Sequence, residues 1–145
     1  MPELDRILLT SALTVLGGVS VYVLGQLVLH FFISPVADLR KGVGEVADVV
    51  IFYAHIYVNP GVASKEISDE AAQSLRRAAA MLRVRAHAVP WYRLAAILRL
   101  VPRREAIHIA SRALIGLSNS VHTGQPSNIL KLQDQVRKAL SLPEI

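Results

Sequence analysis

The stretch ILLTSALTVLGGVSVYVLGQLVLHFFI, residues 7–33, contains no Asp, Glu, Lys or Arg, and His30 is its only side chain that titrates near neutral pH. As an α-helix rising 1.5 Å per residue it would be about 40 Å long, against a hydrocarbon core of about 30 Å, so it can cross a bilayer with tilt or with its ends in the interface. A cleavable signal peptide fits less well, because its apolar region runs to about 7–15 residues and follows a basic stretch. Here the preceding residues are Glu3, Asp5 and Arg6. A buried core helix also fits poorly, since the remaining chain could hardly surround a helix of that length.

The flanks set an expected orientation. Arg40 and Lys41 follow the span and the downstream chain is rich in arginine, whereas the short tail 1–6 carries one Arg beside two acids. The positive-inside rule then puts the N-terminus outside and residues 36–145 in the cytoplasm, in an inner (cytoplasmic) membrane. Within the span Ser11, Gly18 and Gly25 recur every seven residues, with Thr14 four before Gly18 and Gln26 close by. Small residues on one face allow close approach of a second helix, which makes a homo-oligomer or a protein partner in the membrane a candidate contact. His30 reads as an interfacial polar residue.

Outside the span the composition is that of an ordinary soluble domain. Over all 145 residues 52% are hydrophobic and the formal charge is +5, but residues 36–145 alone carry fifteen bases against nine acids. This excludes disordered and collagen-like classes. The chain has no cysteine, which removes disulfides, thiolate metal sites and cysteine nucleophiles from consideration.

Pro35, Pro60, Pro90, Pro102 and Pro126 punctuate this region, and proline ends helices because it lacks an N–H and clashes with the preceding turn. The expected helices are Val36–Val58, one from an N-cap at Ser68 to about Ala88, a short one from Pro90 through Val101, Arg103 to about Val121 before Gly124, and Ser127 to about Leu140. Apolar stripes recur at helical spacing: Ala71, Leu75, Ala78, Leu82, Ala86 and Val89 on one helix, Ala106, Ala110, Ala113, Leu114, Leu117 and Val121 on another. Val36–Val58 is apolar on two sides. No strand-like alternation or long repeat appears, so the fold class is all-α: one N-terminal transmembrane helix and a bundle of about four to five helices.

Motifs for chemistry are absent. Glu105 and His108 have the i, i+3 spacing of bundle metal ligands, but a second copy is missing and both share a polar face with Arg112 and Asn119, so no metal and no cofactor is expected. Asp48 and His55 lie seven apart with Tyr53 and Tyr57 nearby, yet no nucleophile accompanies them. Neither phosphate-binding glycine loops nor hydrolase or zinc-protease signatures occur. The chain is read as not an enzyme.

The arginines stand out instead. Between Arg76 and Arg112 nine arginines meet one acid, Glu105. Within this stretch Trp91-Tyr-Arg-Leu-Ala-Ala-Ile-Leu-Arg-Leu-Val-Pro-Arg-Arg104 joins an aromatic start to an aliphatic body edged with arginine, a composition suited to the headgroup layer. Arg93, Arg99, Arg103 and Arg104 are the candidate lipid or phosphate contacts. Two roles stand open for Trp91, Leu94, Ile97 and Leu98: dipping into a membrane surface, or completing the bundle core. Nucleic acid is the weaker partner, because no helix-turn-helix or stacking platform can be read. The sequence thus points to a single-pass, membrane-anchored interaction or scaffold protein near anionic lipid, with a membrane-tethered nucleic-acid binder or an accessory subunit of a larger membrane complex as alternatives.

Overall fold

Helix-favouring residues fill the chain between its turns, and the computed structural model, which describes residues 2–123 and 126–142, is helical almost throughout, with no β-strand among those residues. The chain forms two units, Met1–Ser34 and Pro35–Ile145.

The first unit is helix α1 (Pro2–Val28) followed by one π-helical turn, Leu29–Ile33. Its side chains are exposed throughout 3–34, and it forms part of a helix long and apolar enough to cross a membrane. The next helix, α2 (Ser34–Phe52), begins one residue before Pro35, so Pro35 does not break the helix as expected. The reason lies in the turn before it: the Ser34 N–H reaches back to the Leu29 carbonyl, five residues away. An extra residue in that turn leaves room for a ring that would otherwise strike a carbonyl one turn earlier.

In the second unit α2 buries Leu39, Gly42, Val46 and Val50. The expected single helix to Val58 is interrupted at Tyr53, whose φ of −93° and ψ of 9° are non-helical, before α3 (Ala54–Val58). The Tyr53 hydroxyl lies 3.1 Å from Glu70 Oε1 and 3.4 Å from Ser74 Oγ, and the Tyr57 hydroxyl donates to the Val50 carbonyl at 2.8 Å. The two tyrosines therefore hold the break rather than serve Asp48 and His55, which are both exposed.

Helix α4 (Lys65–Ala88) is capped by Ser64, whose hydroxyl accepts from the Ile67 N–H. The cap expected at Ser68 is one turn inside the helix, and that side chain is buried. After the short α5 (Tyr92–Ile97), helix α6 (Arg104–Thr123) packs along α4, and α7 (Pro126–Leu140) packs on α6. Buried alanines and serines recur on both helices, Ala71, Ala72 and Ala79 on α4 and Ala110, Ser111 and Ala113 on α6. Small side chains let the backbones approach until dispersion contacts are dense. Ser111 Oγ crosses the α4–α6 seam to the Ala79 carbonyl at 3.4 Å. Arg76 crosses it too, donating to Ser118 Oγ and Asn119 Oδ1.

Arg85 is likewise structural. It grips Glu45 with two hydrogen bonds, 2.6 and 3.1 Å, and the Arg85 hydrogen bond holds the Glu45 carboxyl below its usual range. Gly42 keeps the lane open, since a Cβ there would lie 2.7 Å from Arg85 Nη1. Gly42→Ala is therefore expected to push Arg85 off and return the Glu45 pKa upward, as an NMR titration would show. The net stability change should stay within about 1 kcal/mol, because the helix preference of alanine offsets a half-exposed ion pair.

Candidate anionic-lipid interface

Tyr92 and Ala95 are the residues of α5 that face the core. Tyr92 is the anchor: its hydroxyl donates to the Pro102 carbonyl at 2.6 Å, and the Arg104 guanidinium lies 4.9 Å from the centre of its ring. Burial raises the Tyr92 pKa. With that face committed inward, the other side of α5 points out.

Out-facing on and around α5 are Trp91, Leu94, Ile97 and Leu98, exposed by 71%, 50%, 77% and 60%. They do not complete the bundle core. Four large apolar side chains within eight residues form an inverted amphipathic segment, apolar toward the outside and anchored by a tyrosine within. Contiguous exposed apolar patches larger than a few hundred Å² are uncommon on monomeric soluble proteins.

Both ends of the segment are left-handed. Trp91 has φ 47° and Arg99 φ 57°, a region that costs a non-glycine residue about 1 kcal/mol or more. At the C-terminal end the Leu100 N–H bonds the Ala95 carbonyl and the Arg99 N–H bonds the Ala96 carbonyl. That is the Schellman pattern, with arginine in the place glycine ordinarily takes.

The four candidate arginines divide. Arg93 is exposed on α5. Arg99 and Arg103 line a cavity of about 850 Å³, together with Arg40. Arg40 also donates from Nε to the Leu100 carbonyl at 2.8 Å, tying α2 to the end of α5. Arg104, stacked on Tyr92, lines a different groove of about 430 Å³ with Arg83, His87 and His108. The remaining charge of the arginine-rich stretch is thus partly consumed by the fold, at Arg76 and Arg85. The sequence offered no sign that Arg40 would meet Arg99 and Arg103, since some sixty residues separate them.

Ser11, Gly18 and Gly25 are exposed, and a Cβ added at Gly18 or Gly25 would meet nothing within 4 Å. Glu105, His108, Arg112 and Asn119 are exposed on α6. Among the described residues no three His, Cys, Asp or Glu side chains gather as a metal-binding group. Compared with known proteins, the chain matches no family model, no curated sequence and no solved structure.

Proposed function

We propose that this chain is a single-pass membrane protein whose helical domain rests on anionic lipid headgroups through α5 and acts there as a non-enzymatic interaction or scaffold module. In this reading residues 7–33 span the inner membrane, the N-terminus is outside and the domain is cytoplasmic. The observation that carries it is the outward-facing set Trp91, Leu94, Ile97 and Leu98 bordered by Arg93, Arg99 and Arg103. A soluble surface gains nothing from that arrangement. A headgroup layer rewards both halves, aliphatic and aromatic groups by leaving water at about 25 cal/mol per Å² and each arginine by about 1 kcal/mol near an anionic surface. Tethering by the span removes most of the entropic cost of meeting the membrane, because a linked site is present at roughly millimolar effective concentration.

Trp91 is the only tryptophan in the chain, so its fluorescence reports this contact without labelling. In the full-length protein reconstituted into vesicles containing phosphatidylglycerol, Trp91 emission is expected to be blue-shifted, quenched by brominated lipids and protected from acrylamide. The shift should weaken in purely zwitterionic vesicles and at high salt, where surface charge is screened. Emission typical of water, insensitive to brominated lipid in every vesicle, would remove the proposal.

A further inference from the structure

Arg40 on α2, Arg99 at the end of α5 and Arg103 just before α6 line the cavity of about 850 Å³. Among the described residues no acidic side chain lines this cavity and no ion pair joins any of the three arginines. Three like charges around one opening repel one another, and no carboxylate among the described residues lines it. Two other arginines of the domain are matched, Arg85 to Glu45 and Arg76 to side chains of α6.

We infer that this cavity is a binding site for a phosphate group, held by Arg40, Arg99 and Arg103. Guanidinium presents a planar fork of donors that matches phosphate oxygens two at a time, and three such forks around one opening can satisfy a dianionic group that water alone would otherwise hold. Arg40 is already oriented, because its Nε is fixed on the Leu100 carbonyl and its terminal nitrogens are left for a ligand. Arg99 is held in place by a backbone conformation that glycine would adopt more cheaply, so the chain keeps a side chain where the turn alone asks for none.

The remaining walls include Val43, Ala96, Ile97 and Leu140, which are apolar, and the volume far exceeds that of a bare phosphate ion. A phosphate carrying an aliphatic portion fits both features. Two sources share that chemistry, a phospholipid headgroup and a soluble phosphate ester. Lipid is favoured by sequence position: Arg40 follows Ile33, the last residue of the apolar run, by seven residues. That choice of source rests on the membrane reading above, whereas the phosphate site itself does not.

The test uses the full chain in a zwitterionic detergent, titrated separately with a short-chain phosphatidic acid and with inorganic phosphate, binding being followed by calorimetry. Phosphatidic acid is expected to bind, and Arg99→Gly, Arg40→Gln and Arg103→Gln each to weaken it at least tenfold. Arg112→Gln and Lys131→Gln, which remove the same charge outside the cavity, should change it less than twofold. Arg99→Gly also relieves the left-handed strain, so its helix content and unfolding midpoint should be retained or raised, which separates lost binding from lost folding. Tight binding of inorganic phosphate, lost in the same three variants, would support the site and assign it to a soluble ester. Equal losses in the control variants, or no binding of either probe, would overturn it. Because Trp91 emission in vesicles is read separately, a failed cavity with an intact blue shift leaves the membrane contact standing.

Discussion

Replacing Leu94 and Ile97 together with glutamate is expected to abolish the lipid-induced blue shift of Trp91 while leaving the domain folded. Both side chains are at least half exposed, so the substitutions bury no charge and should alter unfolding stability by no more than about 0.5 kcal/mol each. At the membrane the same changes remove two aliphatic groups, each contributing roughly 1–2 kcal/mol on partial burial, and place two carboxylates among Arg93, Arg99 and Arg103. Each carboxylate offsets an arginine and is itself repelled by anionic lipid, adding about 1 kcal/mol apiece. The sum is about 4–6 kcal/mol, enough to move a docked equilibrium by at least a thousandfold. The expected spectrum in phosphatidylglycerol vesicles is that of a water-exposed indole, with helix content by circular dichroism unchanged. Persistence of the blue shift would mean that Trp91 is shielded by something other than lipid contact at α5.

Much of the helical architecture was legible because it depends on periodicity. The stripes on α4 and α6 place Leu75, Leu82, Ala110, Leu114 and Leu117 inward as their 100° spacing requires, and all are buried. Local terminators were less readable where two signals competed. Ser68 precedes Asp69 and Glu70, an attractive acidic first turn, but Ser64 stands three residues before Ile67 and takes the cap. Pro35 carries a helix-breaking signal that a widened turn absorbs, and no glycine or proline marks the break at Tyr53. The direction of α5 could not be read at all, since Tyr92 and Trp91 are equally plausible anchors until the Pro102 carbonyl claims the tyrosine. The meeting of Arg40 with Arg99 and Arg103 depends on how α2 and the α5–α6 connection pack, which sequence separation conceals. The break at Tyr53 falls between Asp48 and His55, both of which are exposed.

Tyr57 concentrates the stability of this arrangement in one side chain, and its removal is expected to have the largest effect on folding of any single substitution considered. It is fully buried in the five-residue α3, which touches α4, α6 and α7, and its hydroxyl satisfies the Val50 carbonyl at the end of α2. Tyr57→Ala should cost about 3–5 kcal/mol, from lost burial and the cavity left behind. Tyr57→Phe removes only the hydrogen bond and should cost about 1–2 kcal/mol, because the carbonyl loses its donor in a place water reaches poorly. The two variants also differ in their response to alkali. Burial pushes the Tyr57 hydroxyl up to about 12 from its ordinary 10.0, so the folded state resists forming the phenolate that the unfolded chain forms readily. Stability from this group is complete below pH 10 and declines as pH rises toward 12, by up to about 3 kcal/mol. Urea unfolding of the full chain in detergent micelles, followed by circular dichroism at pH 8 and pH 11, measures the difference directly. The parent should lose more stability across that interval than Tyr57→Phe, and a residual loss in the variant is expected from Tyr92, whose pKa burial also raises. Equal losses in parent and variant would mean that the Tyr57 phenolate reaches water in the folded state, which is incompatible with a ring closed over by three helices.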